Sequence, residues 1–208
     1  MRAPRVPHTD RMAEVAQELV VLLDEAGRAI GTAAKAGVHT RTTPLHLAFS
    51  CYVFDADDRL LVTRRSEAKR SFPGIWTNSF CGHPGPGEDI LEALRRRGRD
   101  ELGLTITETR LVLPDFRYTA AQDDVVENEI CPVFTARIAP GAAVRPAPEE
   151  VAEFSWLPWP EAADAIVAPD GGWSLWSRMQ VARLAALGPV PRDWPARPRD
   201  ALPAAARP

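Results

Sequence analysis

The sequence predicts a mixed α/β fold of the α+β type, in which strands of a mixed, largely antiparallel sheet surround one central helix. Two observations lead there. Apolar runs with strand character recur along the chain between short acidic or glycine-bearing turns, and one central stretch switches to helical spacing ahead of a helical C-terminal section.

The first run, ELVVLLDEAGRAIG (18 to 31), reads as strand, DEAG turn and second short strand. LAFSCYVFDADDRLLVTRR (47 to 65) repeats the pattern around DADD. From Glu88 to Leu102 the apolar positions Ile90, Leu91, Leu94 and Leu102 favour a helix. Gly98 weakens it, and Gly103 suits the left-handed residue after its last turn. RLVLPDFRYTA and VVENEICPVFTARI are further strands, VAEFSWLPW another, PEAADAIVA a short helix and WSLWSRMQVARLAALG a longer one with Gly188 as its stop. Residues 1 to 14 and 188 to 208 are rich in Pro, Ala and Arg. Prolines bar a helix from the C-terminal run, so both ends are expected as disordered extensions of one domain spanning 15 to 187.

At 208 residues the chain is long enough for one well-buried core. A net charge of −3 argues against a nucleic-acid binder, which usually needs a basic face to displace counterions from phosphates. The one basic run, Arg95, Arg96, Arg97 and Arg99, sits among acidic residues. Lysine is confined to Lys35 and Lys69, which makes each more informative than a surface lysine normally is. Cys51, Cys81 and Cys131 form an odd set without CxxC spacing and fit a reducing compartment. MRAPRVPHTD has no apolar h-region and no uninterrupted apolar segment reaches membrane-spanning length, so a cytoplasmic protein without a membrane partner is expected.

The chemistry concentrates in TNSFCGHPGPGE (77 to 88), which places the Cys81 thiol, His83 and a glycine-rich turn just before the central helix. Together with LHLAFS (45 to 50), VTRR (62 to 65), PDFRY (114 to 118) and VENEICPVF (126 to 134), this run resembles the type I isopentenyl-diphosphate isomerases. The matching segments span roughly residues 18 to 180, in the family's order. The central stretch GHPGPGEDILEALRRRGRDELGL is in turn similar to the Nudix box, G-x5-E-x7-R-E-U-x-E-E-x-G-U, running from Gly82 through Glu88, Arg96 and Glu101 to Gly103 and Leu104. The resemblance implies a Nudix-like α/β/α sandwich with this helix at its centre.

The departures from the box carry meaning. A Nudix hydrolase gathers helix carboxylates to bind Mg²⁺ and direct a water at a diphosphate. Here Arg97 replaces the glutamate after the box arginine and Gly98 replaces the next apolar residue. A cation at that point disfavours a multi-metal cluster and offers paired donors to diphosphate oxygens. Asp100 keeps an acidic pair with Glu101, so a diphosphohydrolase stays open as the alternative.

His39, His46 and His83 are three of the four histidines, and Glu127 and Glu129 stand two apart in a predicted strand, hence on one face. Three imidazoles and two carboxylates suit an octahedral divalent ion. The resemblance assigns them to one Mn²⁺ or Mg²⁺, with Zn²⁺ as a further candidate. It gives a second Mg²⁺, arriving with the substrate diphosphate, to Glu101 and the carbonyl of Cys81. By the same resemblance Lys35, Arg65, Lys69 and Arg97 bind the diphosphate, and Cys81 faces Glu129, hydrogen-bonded by Tyr118, across the substrate. Trp176 supplies an electron-rich wall for a carbocation. Trp76 and Trp173 rank below it, and Cys51 and Cys131 read as core. Glu129 with Tyr118 is taken as the acid and Cys81, its thiolate favoured by the metal and Arg97, as the base.

The implied activity is isomerisation of isopentenyl diphosphate to dimethylallyl diphosphate. No flavin or nicotinamide is expected, because no glycine-rich dinucleotide fingerprint follows a strand. A monomer is expected. Besides the hydrolase, a non-catalytic Nudix-like binding module is the remaining rival, and it leaves the coincidence of Cys81, Tyr118 and Glu129 unexplained.

Overall fold

The computed structural model describes residues 18–169 and 171–207; the arm at 1 to 14, with His8, lies outside the described residues. The chain opens with a hairpin of β1 (Leu19–Leu23) and β2 (Ala29–Ala34). Its turn is held by the Asp24 carboxylate, which accepts from the backbone N–H of Ala26 at 3.0 Å and of Arg28 at 2.9 Å. After the single turn α1 (Lys35–Val38) come β3 (His46–Leu47), β4 (Phe49–Phe54), β5 (Arg59–Arg65), β6 (Trp76–Thr77) and β7 (Phe80–Gly82). Asp55 closes the DADD turn as Asp24 closes the first. Helix α2 (Ile90–Leu102) follows, then β8 (Ile106–Leu113), β9 (Arg117–Gln122), β10 (Val125–Ile130), β11 (Val133–Ile138) and β12 (Val151–Pro158). Helices α3 (Trp159–Val167) and α4 (Leu175–Ala185) complete the regular elements.

The strands form two sheets. One runs β2-β1-β3-β10-β9 and the other β12-β5-β4-β11-β8, with β6 on β5 and β7 on β4. Two chain segments belong to both. β3 continues through Ala48 into β4, and β10 continues through Cys131 and Pro132 into β11; β3 pairs parallel with β10, and β4 with β11. Most other pairings are antiparallel, as the turn-rich sequence predicts.

Strand β4 is buried along its whole length, and its alternation builds two cores. Phe49, Cys51 and Val53 pack with Ile90, Ala93 and Leu94 of α2. Tyr52 and Phe54 pack with Trp159, Ile166 and Val181 of α3 and α4. Helices on both faces of one sheet make the α/β/α sandwich that was expected.

Helix α2 starts at Ile90 because the Asp89 carboxylate caps it, accepting from Leu91 N at 2.8 Å, and it stops where Gly103 turns left-handed at φ 64°. A Cβ on Gly98 would stand 3.3 Å from Ile106 Cγ2 and 3.5 Å from Phe80. The glycine that weakens the helix on paper is what lets it settle against β7 and β8. Helix α4 ends at Ala185, ahead of Gly188.

The C-terminal run corrects the expectation of a disordered tail. Its prolines do exclude an α-helix, but 3₁₀ turns at Pro191–Asp193, Arg199–Ala201 and Ala204–Ala206 carry it back along the domain. Trp194 is 0 % exposed and meets Trp159 edge-on at 4.8 Å between ring centroids. Leu202 and Ala206 join the α2-side core. Backbone bonds from Arg197 N to Leu111 O (2.7 Å) and from Ala205 N to Gly27 O (3.0 Å) fasten the run. No helix among the described residues is long and apolar enough to cross a membrane.

Candidate active site

Three neighbouring strands line up the polar centre. In the sheet register Glu129 of β10 stands opposite His46 of β3 on one side and Tyr118 of β9 on the other, and Glu127 follows two residues away on the same face. The Tyr118 hydroxyl lies 2.7 Å from Glu127 Oε2 and 2.9 Å from Glu129 Oε2. A phenol has one hydrogen, so serving both carboxyls at once requires a proton on one of them. Burial, then the charge of Glu129, pushes the Glu127 carboxyl up. Burial pushes Glu129 up as well, but hydrogen bonds from His46 and His83 overcome it and hold Glu129 well below the usual carboxylate range. A protonated Glu127 giving its hydrogen to Tyr118 Oη, with Tyr118 giving its own to Glu129, satisfies the arrangement.

His39, just after α1, joins His46, His83 and Glu129 in a cluster whose ligand atoms all lie within 4.8 Å of one another. The cluster fits a divalent cation on its own chemistry. His46 Nε2 faces Glu129 Oε1 at 3.3 Å, and its Nδ1 lies 2.9 Å from Pro44 O, a carbonyl that would keep the proton on Nδ1 and free Nε2 to ligate once a cation took the place of the Glu129 contact. His83 Nε2 lies 3.0 Å from the same oxygen. His39 Nε2 is buried without a hydrogen-bond partner, and burial lowers this imidazole to about 4, so it stays neutral and able to ligate. Glu127 stands outside that cluster, committed to Tyr118.

These groups open into a cavity of about 960 Å³, which is also lined by Cys81, Trp176, Lys35, Arg65, Lys69, Arg97 and Glu101. All the predicted site residues except His46 line it, and His46 lies directly behind Glu129. Trp76 and Trp173 pair with each other and do not line it, and Cys51 and Cys131 are buried thiols of the two cores.

Cys81 sits on β7 opposite Ser50 of β4. Its S–H donates to Asn78 Oδ1 at 3.3 Å, and burial pushes the thiol up to about 12. The cation that opposes this is Arg65. Arg97, expected in that role, is engaged elsewhere: it pairs with Glu101, Nε to Oε1 at 2.8 Å, and with Glu150 at 3.2 Å. The Arg65 guanidinium also lies 5.7 Å from the Trp176 ring centroid, so a cation already rests on the indole expected to face one.

The other expected diphosphate ligands are likewise paired with acids. Lys35 holds Glu18 at 2.6 Å and Lys69 holds Glu150. A single carboxylate, Glu150, thus bridges Lys69 and Arg97. Glu88 and Arg96 of the box form a bidentate pair, both bonds 2.8 Å, and Glu88 also accepts from Gly85 N, which fixes the Pro-Gly-Pro loop. Asp100 is exposed and outside the cavity, so it does not add a second acid to Glu101 there.

Glu150 and Asn78 were not singled out from sequence. Asn78 had a signal, since it lies inside the TNSF run three residues before Cys81; Glu150 follows Pro148 in a segment without periodicity and had none.

The NUDIX domain family model matches residues 44–176. The chain is 57% identical over 165 residues to an isopentenyl-diphosphate Delta-isomerase of Clavibacter sepedonicus, covering 79% of this chain and 86% of that protein. It is 53% identical to a protein of the same name from Mycolicibacterium vanbaalenii, covering 90% of this chain and 100% of the relative. Among solved structures, DR0079 from Deinococcus radiodurans superposes with a TM-score of 0.62 at 19% identity, over 80% of this chain and 98% of that one. At that identity the likeness speaks for the fold alone.

Proposed function

We propose, on the premise that this chain belongs to the Nudix family and to the isopentenyl-diphosphate Delta-isomerases within it, that Cys81 and Glu129 handle the two protons of its reaction. The enzyme converts isopentenyl diphosphate to dimethylallyl diphosphate. That conversion adds a proton at one end of an unactivated alkene and removes another two carbons away, passing through a tertiary carbocation. The observation that carries the reading is the Tyr118 hydroxyl shared by Glu127 and Glu129, in a cavity whose lining also includes the Cys81 thiol and the Trp176 indole.

The Tyr118 hydroxyl bridges Glu127, whose carboxyl burial pushes up, to Glu129, a path along which a proton on Glu127 can reach Glu129, and this supports Glu129 with Tyr118 as the acid assembly. Cys81 then takes the second proton, which requires it to enter as thiolate, helped by hydrogen bonds and by Arg65 against burial. The reverse order has its own support, because the resting Cys81 S–H is aimed at Asn78 Oδ1. Alkylation of Cys81 at neutral pH in the metal-loaded enzyme separates the two: fast carboxamidomethylation fits the base, and inertness fits the acid.

Lys35, Arg65, Lys69 and Arg97 bind the diphosphate by exchanging their present carboxylate and carbonyl partners for its oxygens. A Mn²⁺, Mg²⁺ or Zn²⁺ held by His39, His46, His83 and Glu129, with Glu127 alongside, would supply fixed positive charge beside the proton-handling carboxylate, and Mg²⁺ held by Glu101 and the Cys81 carbonyl would neutralise the diphosphate. Closure of the cavity walls excludes water from the cation. A monomer without nucleic-acid or membrane partners completes the reading.

The test is proton NMR with isopentenyl diphosphate and Mg²⁺ in D₂O. Dimethylallyl diphosphate carrying deuterium is expected, and Cys81→Ala and Glu129→Gln should each abolish it. Release of inorganic phosphate would instead mark a diphosphohydrolase, and full activity in either variant would remove that residue from the mechanism.

A further inference from the structure

We infer that Ser50 and Gln180, which do not line the cavity, are positioning residues that aim the Cys81 sulfur, and that helix α4 holds both hydrogen-bond partners of that sulfur. The inference rests on Cys81 being a proton-handling group.

The direction of each bond follows from what each atom can do. Asn78 Nδ2 donates to two backbone carbonyls, Cys51 O at 3.0 Å and Phe80 O at 2.8 Å, so the amide is locked with Oδ1 toward Cys81. Cys81 has one hydrogen and gives it to that oxygen. Its remaining contact, Ser50 Oγ at 3.3 Å, is therefore the serine hydroxyl donating to sulfur. Ser50 Oγ receives Gln180 Nε2 at 2.9 Å, and Gln180 Oε1 receives the Tyr52 hydroxyl at 2.8 Å. Cys131 Sγ, 3.4 Å from Ser50 Oγ, fills the second lone pair as a donor. The sulfur is thus held from two sides, giving its hydrogen to Asn78 and receiving one from Ser50.

Ser50, Tyr52, Asn78 and Gln180 are all 0 % exposed. Buried polar groups cost free energy unless fully bonded, and an apolar side chain at 180 would serve packing alone, as its neighbours Val181 and Leu184 do. Trp176 and Gln180 lie four apart, one above the other on α4. Trp176 Nε1 donates to Asn78 Oδ1 at 3.1 Å, and Gln180 holds Ser50. One helix face thus walls the cavity and fixes the thiol from both sides.

Steady-state kinetics of Ser50→Ala, Gln180→Met and the double variant test this, with thermal melts to establish folding. Each single change is expected to lower kcat about 10-fold with KM held within about 2-fold, and the double to fall no further than the worse single, because both cut one chain. Ser50→Ala removes one atom, so it remains informative if Gln180→Met folds poorly. Additive losses, a rise in KM with kcat kept, or wild-type kcat in Ser50→Ala while Cys81→Ala is inactive would overturn the inference. An active Cys81→Ala would instead take down the catalytic reading beneath it.

Discussion

In the proposed mechanism a single oxygen organises the proton chemistry. Tyr118 Oη stands between two carboxyls that its surroundings drive apart, one up and one down, and separated values of this kind are how a site keeps an acid and a base at one pH. Tyr118→Phe keeps the ring, which is buried near Phe116 and Trp176, and removes only the hydroxyl. It is expected to lower kcat by about 100-fold or more with little change in melting temperature, since general acid–base groups contribute roughly 10²–10⁴-fold. An unchanged kcat would dismiss the relay. Gly82 shows how tightly the same region is built: a Cβ there would lie 2.8 Å from both Arg97 Cγ and Phe49, so the box glycine is what allows the replacement arginine to lie where it does.

At the scale of elements, the C-terminal run behaves as a missing wall of the sandwich. Trp194 lies between Phe54 and Trp159, and its indole N–H donates to Gly188 O at 2.9 Å. Trp194→Ala should cost about 3–5 kcal/mol, as other buried tryptophans do, and lower the melting temperature by more than about 6 °C. A melting point equal to wild type would return the run to the status of an appendage. The same run is tied down electrostatically, because Arg192 and Arg137 both reach Asp58. Burial pushes the Asp58 carboxyl up, but the two guanidinium groups outweigh it and hold it below its ordinary value. A carboxyl with a lowered folded-state pKa stabilises above its unfolded pKa and loses that contribution as pH falls through the folded one. Asp58→Asn should therefore melt below wild type at pH near 7, and the gap should close on acidification; a gap independent of pH would refute the ion-pair origin.

The paired hairpins, the box helix and its stop at Gly103 were legible because local turn chemistry and periodicity decide them; the Asp89 cap at its start was not singled out. The run after Gly188 was not. Proline spacing excludes helix, but nothing local reveals that Trp194, Leu202 and Ala206 find a surface built far earlier in the chain. The short strands β3 and β7 were hidden for a similar reason, being defined by partners rather than by length. The resemblance supplied the site residues as a set; it did not supply their present bonds, so the engagement of Arg97 by Glu101 and Glu150 and the placing of Arg65 beside Cys81 and Trp176 needed coordinates.

In the molecule as a whole, the histidine cluster straddles the two sheets. His46 and Glu129 belong to one, and His83 follows directly on β7 of the other. A cation bound there would staple the sheets together, so metal should be visible as stability as well as activity. Thermal melts of chelator-treated protein are expected to rise on adding Mn²⁺, Mg²⁺ or Zn²⁺, by an amount approaching about 2.7 kcal/mol at a hundredfold excess over Kd. His46→Ala should erase the rise, and a melting curve indifferent to all three ions would remove the metal centre.

The bond from Gln180 to Ser50 closes a loop of 130 residues. A ribosome releases β4 and the thiol-bearing β7 long before it releases the helix that aims them, and Trp194 emerges later still. During synthesis, then, Cys81 stands on a strand paired with β4 before the helices that cover the other face of β4 have emerged. Closing so long a loop is slow compared with forming hairpins. The last fifth of the chain therefore supplies both the cover over β4 and the bonds that aim Cys81, and a nascent chain stalled before α4 would lack them.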